Sequence, residues 1–155
     1  SNGNDGITAE ADTAVVQIDD SELHGGGGST ADMIVSYLGA QQIHVSYTEI
    51  KGVHCAFHIE RVANMDVSHV SATGNYFGAM LYGSLATGTR TFDSVNFTAD
   101  LQWGVDEEDG DINGPITFSN SYIAGNTQGD IYVQTASNIV FDSPAAAPIV
   151  DAKPR

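Results

Sequence analysis

Three sets of side chains in this sequence could do chemistry. The first is acidic. Val105–Asn120 reads VDEEDGDINGPITFSN, in which Asp109, Asp111 and Asn113 alternate and Gly114 follows. Oxygens at alternate positions, ahead of a glycine that permits a sharp turn, can converge on one hard cation such as Ca²⁺. Pro115 would add its carbonyl, and Asp106, Glu107 or Glu108 a further carboxylate. The second set is the histidines His24, His44, His54, His58 and His69, all in the first half of the chain. His54 and His58 stand four residues apart in a segment that reads as a strand. An extended chain separates them by roughly 13 Å, too far to share one metal ion. A transition-metal site would therefore need a contact brought about by the fold. Otherwise these are polar residues on strand surfaces. The third set is aromatic. Trp103 adjoins the acidic stretch, and several of Tyr37, Tyr47, Tyr76, Tyr82, Tyr122 and Tyr132 should lie outward or at loops. An aromatic face beside hydrogen-bond acceptors is a platform for a sugar ring. The competing position for Trp103 is an inward rung of a strand.

The acidic spacing resembles the calcium loop of EF-hand and dockerin-type sites, with two departures. Position 12 is Asn120 instead of a bidentate Glu, and the residues after Gly114 read as a strand where those loops exit into a helix. The plain alternative is a solvated acidic loop. Cys55 is the single cysteine, so no intrachain disulfide exists. It alternates with Phe57 and Ile59, which points it toward a core as a small hydrophobe.

Placing these groups requires the elements that carry them, and those elements repeat. The pattern apolar-x-apolar-Ser/Asp, with an apolar residue five places beyond the second and often a Gly two further, recurs along the chain. It reads VQIDDSELHG at Val16, IHVSYTEIKG at Ile43, MDVSHVSATG at Met65, RTFDSVNFTA at Arg90, ITFSNSYIAG at Ile116 and, decayed, IVFDSPAAAP at Ile139. The copies are spaced 22 to 27 residues apart. A second apolar segment lies between copies, at Asp32–Leu38, Cys55–Val62, Gly78–Leu85, Leu101–Val105 and Asp130–Thr135. Gly and β-branched residues interrupt every window, so no helical period persists and short strands are expected. Repeats of this length bury an apolar face only by stacking, which predicts a solenoid.

The motif resembles the right-handed parallel β-helix family, the pectate-lyase-like superfamily, from about Val16 to Ser143. The resemblance implies an all-β, right-handed parallel β-helix of about six coils. Residues 1–14 would form a polar leader or N-terminal cap, residues 15–143 the β-helix, and residues 144–155 a C-terminal cap or tail. Ile43, Val45, Met65, Val67, Ile116, Phe118, Ile139 and Phe141 would point inward. Gln17, His44, Asp66, Thr91, Thr117 and Val140 would form an outward stripe. Gly25, Gly52, Gly74 and Gly125 would take left-handed corners, and the Ser/Asp position would bond turn amides. Arg90 occupies an apolar position: either the alignment slips locally by a bulge or a cation sits near the core, and the bulge is favoured because an unpaired buried Arg is costly.

Function is less legible. The family's lyases use a Lys or Arg base, often with Ca²⁺, but only Lys51, Arg61 and Arg90 fall within the repeats. Its hydrolases use grouped Asp residues. Asp19 and Asp93 share a repeat position three coils apart, about 14 Å, beyond the roughly 5–9.5 Å of paired catalytic carboxylates. No Ser/His/Asp arrangement can be read from one dimension. With 20 acidic and 5 basic residues the net charge is −15, which excludes nucleic acid and anionic membrane surfaces as partners. No apolar run reaches the ~18 residues of a membrane span. The composition suits a secreted or cell-surface bacterial protein. The resulting expectation is a non-catalytic module that binds polysaccharide or cell-surface glycan or serves as an adhesive scaffold. Calcium would be held by Asp106, Asp109, Asp111 and Asn113, and Trp103 would be the sugar contact. The alternatives are a polysaccharide-active lyase or glycoside hydrolase, and a purely structural solenoid.

Overall fold

The structure is a computed structural model that describes residues 5–25, 30–82, 88–107, 116–134 and 139–142. The described residues form three parallel sheets and no helix. Sheet A runs β1 (Ile7–Glu10), β4 (Ile34–Gly39), β7 (Cys55–Ile59), β10 (Phe77–Leu81), β13 (Trp103–Glu107) and β16 (Gly129–Val133). Sheet B runs β2 (Val15–Asp19), β5 (Gln42–Ser46), β8 (Asn64–Ser68), β11 (Arg90–Asp93), β14 (Ile116–Ser119) and β17 (Ile139–Phe141). Sheet C runs β3 (Glu22–His24), β6 (Glu49–Lys51), β9 (Ser71–Thr73), β12 (Asn96–Thr98) and β15 (Tyr122–Ala124). Each coil contributes one strand per sheet, so the chain is the expected parallel β-helix. Part of the polar segment 1–14 is β1, the terminal strand of sheet A.

The repeat positions stack in register. Ile18, Val45, Val67, Phe92, Phe118 and Phe141 form one row. Leu23, Ile50, Ala72, Phe97 and Ile123 form another. The eight side chains expected inward all join the core or pack against it. In the Phe row, Phe92 stacks on Phe118 at 4.7 Å and Phe118 on Phe141 at 5.3 Å. The expected outward stripe is exposed or half-buried throughout.

Three details differ from expectation. Arg90 does not sit at a bulge: it pairs in unbroken register between Met65 and Ile116, with 4% of its surface exposed. As the first residue of β11 it starts its strand at the edge of the core row, and burial lowers its pKa. The Ser/Asp row bonds partly to itself. Ser46 Oγ donates to Asp19, and Ser119 Oγ to Asp93 Oδ1 at 2.6 Å, because parallel register brings equivalent side chains together. Gly52, Gly74 and Gly125 are left-handed as expected, but Gly25 is not. A Cβ on Gly25 would meet the Gly52 carbonyl at 2.3 Å, so close approach explains that glycine.

The corner between sheets B and C was not anticipated. Asp20, Tyr47, His69, Ser94 and Asn120 all have φ between 47° and 56°. A non-Gly residue there costs about 1–2 kcal/mol. Coil-to-coil hydrogen bonds offset it, including Tyr47 N–H to the Ser68 carbonyl and His69 N–H to the Asp93 carbonyl. The bend throws these five side chains onto one outer edge.

Candidate functional site

Among the described residues, the densest group of chemically capable side chains lies where two adjacent coils enter sheet A. Backbone hydrogen bonds from Met33 to Cys55 and from His54 to Ala31 lock these entrances together. Strand alternation then breaks. Ala56 and Phe57 both join the main core, whereas Cys55 belongs to a second cluster with Phe77, Met80 and Trp103. The break leaves His54, Cys55 and His58 beside Asp32.

Asp32 is the hub, with 7% of its side chain exposed. Its Oδ1 accepts from the Cys55 backbone N–H at 3.1 Å and lies 2.9 Å from His54 Nδ1. Its Oδ2 lies 2.7 Å from His58 Nδ1. Tyr37 Oη donates to the same oxygen at 3.4 Å. The Cys55 thiol stands 3.5 Å from His54 Nδ1. His58 Nε2 faces Glu60 at 3.4 Å. Tyr76 stacks on His54 and Tyr82 on His58, while Tyr37 meets His58 edge-on. His54 and His58 do not converge on one point, as the strand spacing implied: each meets a different oxygen of Asp32, and only His54 groups with Cys55 and that carboxylate. What the spacing did not show is that one carboxylate from the neighbouring coil links both imidazoles.

Charge follows from this packing. Burial would raise the Asp32 carboxyl, but hydrogen bonds from His54 and His58 outweigh it and hold it well below the usual carboxylate range. Burial would lower the His58 imidazole, but the Asp32 hydrogen bond and charge, reinforced by Glu60, raise it instead. Burial, then Asp32, pushes the Tyr37 phenol up to about 12. Burial and the charge of Asp32 push the Cys55 thiol well above its ordinary value. A thiol held protonated is a poor nucleophile. The geometry agrees: thiol and carboxylate both approach Nδ1 of His54, whereas a nucleophile–base–acid relay needs them at opposite ring nitrogens. The cluster is therefore a convergence of donor atoms on one point.

The remaining candidates lie elsewhere. Asp109, Asp111 and Asn113 fall outside the described residues, as do residues 26–29 and 143–155. Asp106 is fully buried on β13, in register with Met80 and Tyr132. Trp103, expected as a sugar platform, is 2% exposed and packs 5.6 Å from Tyr132, so its ring presents no free face. Asp19 and Asp93 are three strands apart in sheet B, as the repeat implied. Between them His44 bridges Asp19 and Asp66, at 3.3 Å from each.

An exposed hollow of about 400 Å³ opens at the B–C corner, lined by Asp20, Ser21, Glu22, Tyr47, Thr48, Glu49, His69 and Ser71. Tyr47 is 63% exposed and stacks on His69 with centroids 4.6 Å apart and planes 17° from parallel. The sequence places Tyr47 among the aromatics expected outward or at loops but does not pair it with His69, because that signal is a coil-to-coil register at a left-handed corner. No helix among the described residues is long and apolar enough to cross a membrane. Comparison of the chain with protein-family models, with curated proteins and with solved structures finds no match.

Proposed function

We propose that this chain is a non-catalytic β-helix module, displayed outside the cell, that binds neutral glycans at the B–C corner. The observation that carries the reading is the exposed Tyr47–His69 stack within a hollow rimmed by hydroxyls and carboxylates. A pyranose ring presents an apolar face to an aromatic plane, and its hydroxyls donate to surrounding acceptors. Asp20, Glu22 and Glu49 supply acceptors, and Ser21, Thr48 and Ser71 supply both roles. The net charge of −15 favours neutral polymers over polyuronates. The pectate-lyase-like resemblance supports a glycan ligand by analogy of fold alone. Calcium at Asp106, Asp109, Asp111 and Asn113 would brace the coil that carries them.

A catalytic reading would centre on Asp19, His44 and Asp66. It is weaker because hydrogen bonds from Ser46 and Gln17 lower the Asp19 pKa, which disfavours it as a proton donor.

Native electrophoresis through gels holding neutral or acidic polysaccharides tests the proposal. Retardation by a neutral polymer, lost in Tyr47→Ala and reduced severalfold in His69→Ala, is the expected result. Equal mobility in every gel would overturn it. Release of new reducing ends from the retained polymer would move the reading to the hydrolase.

A further inference from the structure

We infer that Asp32, His54 and Cys55 form a binding site for one divalent transition-metal ion of the zinc class, with His58 as the residue that positions Asp32. This site lies apart from the glycan hollow and does not depend on it.

The three ligand atoms, one from each residue, all lie within 4.8 Å of one another. Tetrahedral zinc places nitrogen and sulfur ligands at about 2.0–2.3 Å, which sets ligand-to-ligand edges at about 3.3–3.8 Å. The His54 Nδ1–Cys55 Sγ separation of 3.5 Å already matches such an edge. The Nδ1–Asp32 Oδ1 separation of 2.9 Å needs to open by roughly half an ångström, a small side-chain adjustment. Imidazole, thiolate and carboxylate together suit a borderline ion, whereas Ca²⁺ and Mg²⁺ select oxygen alone. With three protein ligands, a fourth position is left for water or an added ligand.

The surroundings favour a cation. Asp32, Asp100 and Asp106 all place carboxyl groups within electrostatic reach of Sγ, and a divalent ion there offsets their negative field. On metal entry the thiol proton leaves to solvent, and His54 carries its remaining proton on Nε2 while Nδ1 ligates. His58 holds the second carboxylate oxygen at 2.7 Å and is itself steadied by Glu60, the outer support that metal-ligating carboxylates usually have. Tyr76 and Tyr82 stack over the two imidazoles and shield them. A second acidic–histidine group, exposed Glu22 and His24 with half-buried Glu49, lacks a soft ligand. Lys51 also neutralises Glu49 at 2.5 Å.

Titration of the purified chain with Co²⁺ tests the site, because cobalt bound to thiolate absorbs by sulfur-to-metal charge transfer. One equivalent should bind with that absorption, and Zn²⁺ should displace it. Cys55→Ser should abolish the band. His54→Gln should weaken binding at least tenfold. His58→Asn should keep the band and weaken binding about 10–100-fold. The His24→Gln/Glu49→Gln variant should bind like the parent. Circular dichroism verifies each fold, and if Cys55→Ser unfolds, Asp32→Asn and His54→Gln carry the test. The inference is overturned by absence of binding, by binding without charge transfer, or by loss of binding in His24→Gln/Glu49→Gln but not in His54→Gln.

Discussion

At the scale of the residue, Asp32 and His58 link stability to pH in a defined window. Asp32 is depressed in the fold, so its contribution is present above the unfolded value near 3.9 and lost as pH falls through its folded value. His58 is raised, so its contribution is full below about 6.5 and lost as pH rises through its folded value. The pair therefore stabilises most between about pH 4 and 6.5. His58→Asn should cost about 1–3 kcal/mol in that window, as for a hydrogen-bonded charge partner that is largely buried. The cost should shrink as pH rises beyond it. Urea unfolding of parent and variant at stepped pH measures this, and a cost that grows with pH would contradict the charged assignment.

At the scale of the element, the corner from sheet C to sheet A is built from a polar row that is buried at Asn75 and Asp100 and half-buried at Asn126. Left-handed Gly74, Ala99 and Gly125 are followed by Asn75, Asp100 and Asn126. Asn75 Nδ2 donates to the Ile50 carbonyl and Asn126 Nδ2 to the Phe97 carbonyl. Asp100 holds the middle position, accepts from Asn75 N–H at 2.9 Å, and has no partner for Oδ2. Burial raises its carboxyl to about 7. A raised group contributes stability at low pH that is lost as pH climbs, here between about 3.9 and 7. Asp100→Asn should restore the row by donating toward the Ala72 carbonyl, which stands in register between Ile50 and Phe97. The variant should gain about 2 kcal/mol over the parent above pH 7. That gain should build between pH 4 and 7 and then level off. Chemical denaturation at pH 5 and pH 8 decides it, and equal stability at pH 8 would count against a buried charged Asp100.

At the scale of the whole molecule, stability is nearly one-dimensional. Each coil touches only its neighbours, so any ligand that pins one coil should register in the melt. If the acidic stretch holds calcium, Tm should rise with added Ca²⁺ and fall with chelator. The same shift should persist in Cys55→Ser, which separates it from the transition-metal site. An unchanged Tm in both conditions would remove calcium. The acidic excess also makes self-repulsion a global term, so Tm should increase as salt screens it over a Debye length of about 10 Å at 0.1 M.

By itself the sequence determined the solenoid. Its repeat names which residues share a row, and parallel stacking converts period directly into register, so the Phe92–Phe118–Phe141 stack and the Leu23–Ile123 row were legible in advance. Residues that obey the repeat are placed by it, because burying an apolar face leaves one register available. What the tertiary structure decided lies where the repeat is broken. Arg90 enters the core row because its register neighbours hold it there. Cys55 leaves the alternation because Ala56 and Phe57 both turn inward. Trp103 is covered by neighbours from other coils. Asp32 meets His54 and His58 only because β4 and β7 are adjacent in space while 22 to 26 residues separate those partners along the chain. Side-chain convergence across coils depends on rotamer and corner geometry, which a one-dimensional pattern does not encode.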